Sequence, residues 1–223
     1  MGFTLSRPQV RGLFDHGEAT RQNSVEADPL WLQPCLAYNL QIAVGPEPTQ
    51  RLWKVVSDIA ESELALLVCP PRTYHLTVLN LLPVRDPDLG AKQRAWEASG
   101  ALWQRLAEVE IRQHPQYEIR LTSLVATRSA LIAAAVDSSP TVELRRSLMD
   151  SLGLDLGPVP ELTHVTLARY RGALSAPHLF LDQVERARVD VPITVDRLRL
   201  VRERMYPSVG IDMIAELPLA DAR

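Results

Sequence analysis

Apolar and polar residues alternate in two short stretches of the chain that carry the same four-residue pattern. Residues 75–78 are His-Leu-Thr-Val and residues 164–167 are His-Val-Thr-Leu. Because the side chains of a β-strand point alternately to its two faces, each stretch predicts a strand with histidine and threonine on one face and two aliphatic residues on the other. The aliphatic face would enter a core, and the polar face would stay open to whatever lies above it.

The rest of the chain alternates between predicted strands and predicted helices. Apolar residues at i, i+3, i+4 and i+7 indicate helices, whereas runs rich in β-formers bounded by Gly, Pro or Asp indicate strands. The predicted order is a strand over 36–44, a helix from about 49, the first motif strand over 74–78, a helix over 88–110, strands over 117–125 and 130–136, a helix from 139, the second motif strand over 162–170, a helix over 176–188, and strands over 193–204 and 209–217.

This order predicts an α+β fold in which antiparallel sheets are covered by helices on one side. Each motif strand lies between two helices, and a pair of strands follows later in each half, which indicates an internal duplication. Residues 31–223 are long enough for one domain, and a chain with 46% hydrophobic residues can fill its core. Residues 1–30 show little periodicity and are predicted to be an N-terminal extension of unknown role, either a loose lead-in or an arm that packs over the body.

The formal net charge of −3 argues against a broad basic surface that coats nucleic acid. A nucleic-acid partner would therefore be an RNA terminus or a short nucleotide. The N-terminus lacks the apolar run of a secretion signal, and no stretch approaches the roughly 18 apolar residues of a membrane span. Cys35 and Cys69 are predicted to be reduced thiols. We therefore expect a cytoplasmic protein without a membrane partner; its oligomeric state stays open, and a monomer is compatible with the sequence.

Two His-x-Thr-x motifs about 90 positions apart resemble the 2H phosphoesterase superfamily. That group includes 2′-5′ RNA ligase-like proteins and cyclic nucleotide phosphodiesterases. The stretch from His164 to Arg169 is similar to the second motif of the RNA ligase-like branch. The first motif departs from that branch, because Asn80-Leu81-Leu82-Pro83 stands where Phe, Leu and Gly often follow. The resemblance covers roughly residues 36–219 and implies a bilobal fold, with two pseudo-symmetric lobes, helices outside and a central cleft that holds both motifs.

Two histidines suit phosphodiester chemistry, because imidazoles titrate near neutral pH and can act as a base and an acid together. We therefore expect His75 and His164 to be the catalytic pair, with roles that exchange with the direction of reaction. Thr77 and Thr166 would bind the phosphate by donating to its non-bridging oxygens. This scheme needs no metal and no cofactor. A two-histidine metal site completed by distant carboxylates is the alternative.

Further candidates for substrate binding are Arg169, Tyr170, Tyr38, Arg202, Arg204 and Tyr206. Arg169 follows the second motif as in the ligase-like branch, although strict alternation points it away from His164 and leaves an ion pair at the strand edge as the alternative. Tyr170 is predicted to share the face of His164. Such a cationic and aromatic cluster would suit a base and a second phosphate. Surface solvation is the alternative for the arginines near the final turn.

The predicted function is a metal-independent phosphodiesterase acting on a 2′,3′-cyclic phosphate or a 2′-5′ linkage in RNA or a small nucleotide. The same groups would serve RNA ligation in the reverse direction. One alternative is a nucleotide- or RNA-end-binding module with little turnover. Another is a structural α+β protein in which both motifs are ordinary core strands, and the duplication of the motif is the argument against it.

Overall fold

The computed structural model describes residues 16–135, 139–154, 159–160 and 162–221, so residues 1–15 of the predicted extension lie outside the described residues. The elements are α1 (His16–Arg21), β1 (Pro34–Ala43), α2 (Pro46–Ala60), β2 (Leu66–Val68), β3 (His75–Leu82), α3 (Leu89–Ile111), β4 (Tyr117–Ala126), β5 (Ala130–Ala135), α4 (Ser139–Leu152), β6 (His164–Tyr170), α5 (Pro177–Arg186), β7 (Val191–Val195), β8 (Arg197–Met205) and β9 (Gly210–Pro218). Both motifs lie in strands, as predicted, and each motif histidine is the first residue of its strand.

The strands form one sheet in the order β7-β4-β5-β6-β3-β1-β8-β9, with β2 also paired to β6. The named strands pair antiparallel throughout. The sheet divides into two four-stranded halves, each with a motif strand at its inner edge. They meet where Leu76 of β3 pairs with Val165 of β6. We call them the first-motif half (β3-β1-β8-β9) and the second-motif half (β6-β5-β4-β7). The predicted α+β fold with two lobes is confirmed.

The chain interlaces the two halves. The hairpin β4–β5 follows the first motif in sequence but joins the second-motif half, and β8–β9 follows the second motif but joins the first-motif half. Each half of the sheet therefore combines strands that are far apart in the sequence. The predicted strand over 193–204 is wrong for this reason: it is two strands, and the chain passes from β7 to β8 at Asp196. The buried positions change phase at this point: Val191, Ile193 and Val195 are buried in β7, whereas the buried positions of β8 resume at Leu198 and Leu200.

The helices lie on the face of the sheet opposite the motif side chains. In β1, Tyr38, Leu40 and Ile42 are at most 1% exposed and point into this core. The ring of Tyr38 stacks on Trp96 of α3, with centroids 4.0 Å apart and planes within 10°. Gly100 makes room for that indole, since a Cβ there would lie 2.6 Å from a ring atom of Trp96. Trp96 therefore packs in the core, and the opposite face of β1 is left for the cleft.

Candidate active site

The four motif side chains meet at the junction of the two sheet halves. The antiparallel pair Leu76–Val165 sets His75 beside Thr166 and Thr77 beside His164. All four side chains are half-buried, and they line one cleft of about 310 Å³. The structure thus brings the predicted catalytic and phosphate-binding residues together. Each histidine has the threonine of the other motif as its neighbour across the junction.

The tautomer of His75 follows from its hydrogen bond. Its Nδ1 lies 2.7 Å from the backbone carbonyl oxygen of Thr73. A carbonyl only accepts, so Nδ1–H is the donor, and Nε2 of the neutral ring carries a free lone pair. Burial lowers the pKa of His75; the Thr73 carbonyl opposes this shift, and the positive charge of Arg169 adds to it. The neutral ring is therefore the favoured form.

His164 is shifted further in the same direction. Burial is the largest cause, followed by the charges of Arg169, Arg145 and His75, and together they lower its pKa to about 4. Both histidines are therefore neutral near pH 7 in the free protein. A bound anion would oppose these shifts, because a nearby negative charge favours the protonated imidazole.

Both motif strands contain a β-bulge directly after the threonine. In β6, Ile132 of β5 pairs with Thr166 and Leu131 pairs with Ala168, so Leu167 is the extra residue. In β3, Gln41 of β1 pairs with Thr77 and Leu40 pairs with Leu79, so Val78 is the extra residue. A bulge inserts one residue and reverses the alternation beyond it. The side chain five positions after each histidine consequently returns to the cleft face; it is Asn80 in β3 and Arg169 in β6.

The prediction from strict alternation is therefore wrong at the end of β6. Arg169 lies on the face of His164 and lines the cleft. Tyr170 lies on the opposite face, is fully buried, and packs edge-on against Phe180 with ring centroids 6.3 Å apart. Its hydroxyl donates to the backbone carbonyl of Ala130 over 3.4 Å. Tyr170 is thus a core residue and does not line the cleft.

Arg169 is held by three neighbours. Its Nε lies 3.4 Å from Oδ2 of Asp28, in an ion pair whose side chains are 16% and 9% exposed. Its Nη1 donates to the backbone carbonyl of Ser129 over 3.4 Å. Its guanidinium carbon lies 5.7 Å from the ring centre of Tyr206, which also lines the cleft. A cation held in this way beside two histidines is suited to a phosphate oxygen.

The other candidates lie elsewhere. Tyr38 is in the core on Trp96. Arg202 donates its Nε–H to Asp212 over 2.8 Å, and Nη2 of Arg204 lies 2.8 Å from the same carboxylate. Neither arginine is among the residues that line the cleft. The interpretation of these two as surface ion-paired residues fits the structure better than a role in the cleft.

Asp28 shows that the end of the predicted extension is part of the site. The backbone N–H of Asp28 donates to the backbone carbonyl of Tyr170 over 2.9 Å. The backbone N–H of Glu26 donates to the backbone carbonyl of Arg128 over 2.7 Å. Leu32 donates to the carbonyl of Tyr206 over 3.0 Å. Residues 26–32 therefore bracket the end of β6 and the Tyr206 turn. Sequence reasoning missed Asp28, because its partner Arg169 is 141 positions away (169 − 28).

Arg145 of α4 is a second residue that sequence reasoning missed. Arg145 is 2% exposed, and its guanidinium donates to the backbone carbonyls of Val78 and Thr77 over 2.9 Å each and to that of Pro160 over 2.8 Å. Burial lowers its pKa to about 10. The available signal was an arginine next to Leu144 on the buried stripe of a helix. Arg145 thus fixes the bulge of β3 from behind.

The described part of the chain also bears on the expectations about metals, membranes and cysteines. In the described ranges, no group of three or more His, Cys, Asp and Glu side chains is placed to hold a metal ion. Among the helices of those same ranges, none combines the length and apolar character of a membrane span. Cys35 and Cys69 are free thiols, and burial raises the pKa of each to about 12.

This chain spans almost the whole length of several solved structures of similar fold. The structure of Escherichia coli LigT complexed with 3′-AMP matches with a TM-score of 0.58 and 15% identity, over 83% of this chain and 99% of that one. TT0787 of Thermus thermophilus matches with 0.55 and 17%, over 84% and 100%. A protein described as a phosphoesterase matches with 0.56 and 12%, over 83% and 99%. No family model and no curated protein matches the sequence. The chain therefore has the LigT-like fold that the resemblance implied.

Proposed function

We propose that the protein is a 2H-type phosphodiesterase that hydrolyses a 2′,3′-cyclic phosphate or a 2′-5′ linkage without a metal ion. The observation that carries the proposal is the arrangement at the junction, where two His-Thr pairs face one cleft with Arg169 beside them. Structures of LigT with 3′-AMP, ATP and phosphate fit a nucleotide or RNA terminus as the ligand class. The free thiols fit a reducing compartment such as the cytoplasm.

In the proposed reaction each of the two imidazoles carries out one proton transfer. For a 2′,3′-cyclic phosphate, one neutral histidine takes a proton from water as the water oxygen forms a bond to phosphorus. The bond from phosphorus to one ribose oxygen breaks, and the other histidine, protonated, gives its proton to that oxygen. One proton is taken up and one is released, so the pair ends each turnover with its protonation exchanged. In the ligation-like reaction a hydroxyl of a second RNA end takes the place of water: its oxygen forms the bond to phosphorus and gives its proton to one histidine, while one ribose oxygen leaves phosphorus and takes a proton from the other histidine.

Thr77, Thr166 and Arg169 would bind the non-bridging phosphate oxygens. The two hydroxyls donate from opposite sides of the junction, and the guanidinium supplies a fixed positive charge. These oxygens gain charge as the attacking oxygen approaches, so donors that are already in place favour the transition state. The site thus combines proton transfer with a preset anion-binding surface.

The lowered pKa values of the two histidines agree with this scheme. A general base must be neutral, and both histidines are neutral near pH 7 in the free protein. The acid must carry a proton, and a phosphate anion beside it would raise its pKa. Substrate binding would therefore supply the charge that lets one imidazole act as the acid. Neither histidine therefore needs to be protonated in the free protein.

The test is hydrolysis of the four 2′,3′-cyclic mononucleotides in EDTA between about pH 5 and 9, the range in which histidine titrates. We expect a bell-shaped profile, and a loss of about 10²- to 10⁴-fold in His75→Ala and His164→Ala. His178→Ala is the matched control, because His178 lies at the start of α5 and outside the cleft lining. Full activity of His164→Ala would contradict the proposal. A wild type that binds 3′-AMP without turning over any substrate would favour a binding module.

A further inference from the structure

The two halves of the cleft differ at the position after the bulge. The second-motif half presents Arg169 there, whereas the first-motif half presents Asn80. Both residues stand five positions after the motif histidine and follow the same backbone irregularity. The backbone is thus duplicated, but one half offers a positive charge and the other a neutral amide.

Asn80 has a second amide beside it. Asn39 of β1 is its cross-strand partner, and both line the cleft. Asn39 is 4% exposed, and its Oδ1 is buried without a hydrogen-bond partner among the described residues. Gln41, two residues further along β1, is 3% exposed, and its Nε2 is likewise buried without a partner in the described chain. The first-motif half therefore contains amides that the described protein atoms do not satisfy.

Buried polar groups without a partner are rare in native proteins and call for a ligand, a water or an ion. A neutral amide pair is poorly suited to a second phosphate, because it carries no charge; the arginines that line the cleft, Arg85 and Arg169, are not part of this pair. A side-chain amide offers a donor beside an acceptor, which matches the edge of a nucleobase. The acceptor Oδ1 of Asn39 requires a donor from the ligand.

We propose that Asn39 and Asn80 form a nucleobase subsite that selects a base with an amino group next to an acceptor ring nitrogen on its Watson–Crick edge, namely adenine or cytosine. The proposal rests on the proposed function, since the base would belong to the nucleotide whose phosphate occupies the motif residues. The exocyclic amino group donates to Oδ1 of Asn39, and an amide N–H of Asn80 donates to the ring nitrogen. The subsite thereby gives the cleft a direction, with phosphate toward Arg169 and base toward Asn80.

The test measures binding by calorimetry with 3′-AMP, 3′-IMP and inorganic phosphate. Inosine has a carbonyl where adenine has the amino group, and a ring N–H where adenine has an acceptor, so its donor and acceptor are exchanged at the same size and charge. We expect the wild type to bind 3′-AMP at least about tenfold more tightly than 3′-IMP. Asn39→Leu and Asn80→Leu should reduce this ratio to within about twofold while the affinity for phosphate stays unchanged.

Two further variants make the result specific. Asn39→Asp keeps an acceptor at the buried position and should retain the preference for 3′-AMP, since its added charge affects both nucleotides equally. Gln50→Leu removes an exposed amide of α2 and should change neither ratio nor affinity. Unchanged phosphate affinity in the Leu variants would show that they fold.

Equal binding of 3′-AMP and 3′-IMP by the wild type would overturn the base subsite and leave the proposed function standing. Leu variants that keep the wild-type ratio would also overturn the base subsite and leave the proposed function standing. The amides would then be hydrogen-bonded to a bound water and not to the base. A wild type that binds neither nucleotide nor phosphate would overturn both proposals. A ratio that falls only in Asn39→Leu and Asn80→Leu, and not in Asn39→Asp or Gln50→Leu, would establish the subsite.

Discussion

The two sheet halves use the same backbone to present different chemistry. Each has a motif strand with a bulge after its threonine, yet the second-motif half positions a buried ion pair and the first-motif half positions unpaired amides among the described residues. The carbonyls around the bulges are satisfied differently too. Leu167 accepts from the backbone N–H of Cys69 over 2.8 Å, whereas Thr77 and Val78 accept from the Arg145 side chain. Duplication of the backbone therefore supplies the two histidines that we propose to be catalytic, and the side chains beyond the bulges distinguish the halves.

The largest expected effect comes from removing the charge that distinguishes the second-motif half. Arg169→Gln should lower kcat/KM for a cyclic phosphate by about 10²- to 10³-fold, because a preset donor to the developing charge is lost. Steady-state kinetics would measure this. Arg202→Gln is the matched control, since Arg202 is ion-paired outside the cleft, and it should stay within about twofold of wild type. Equal losses in both variants would contradict the assignment.

A substitution of Arg145 tests whether its hydrogen bonds stabilise the bulge of β3 in the first-motif half. Arg145→Met would leave three backbone carbonyls without this donor, in one buried and two partly buried hydrogen bonds, and should lower the free energy of unfolding by about 3 kcal/mol. Arg146→Met changes the adjacent, exposed arginine of α4 and should have an effect below about 0.5 kcal/mol. Denaturant unfolding of the two variants compares them directly. Equal stability would show that the bulge of β3 does not need the guanidinium.

The lowered pKa of His164 predicts how stability depends on pH. The unfolded chain binds a proton at this residue near pH 6.5, whereas the folded chain binds it only near pH 4. The unfolded state therefore holds more protons within this window, so the free energy of unfolding falls as the pH falls, by up to about 3 kcal/mol from this residue. Unfolding curves of wild type and His164→Gln between these pH values measure it. A parallel decline in both proteins would contradict the shift.

The smallest expected effect concerns Asp28, in the segment 26–32 that contacts the end of β6 in the second-motif half. Asp28→Asn should lower kcat/KM about tenfold, because Arg169 loses the ion pair that orients it. In an Arg169→Gln background the same change should have no further effect, since positioning acts only through the guanidinium. Kinetics of the two single variants and the double variant complete the cycle. Additive losses would show that Asp28 acts through the fold and not through Arg169.

The sequence was informative wherever a pattern is local. His75, Thr77, His164 and Thr166 could be identified as one site because period-two alternation places each pair on a strand face, and because the motif occurs twice. The two successive strands predicted from residue 117 and from residue 130, which form the antiparallel pair β4–β5, and the helix beginning at Ser139 are also confirmed. These features depend on neighbouring residues in the chain, which set backbone conformation and the direction of side chains.

Tertiary structure decided what lies beyond the threonines. The bulges depend on how β3 and β6 pair with β1 and β5, so no local pattern could show that Arg169 enters the cleft and Tyr170 leaves it. The ion pair with Asp28 and the split of β7 from β8 likewise depend on contacts between distant segments. Local sequence thus determined the two His-Thr pairs and their strands. Long-range pairing determined which further side chains face that pair, because one inserted residue reverses every side chain after it.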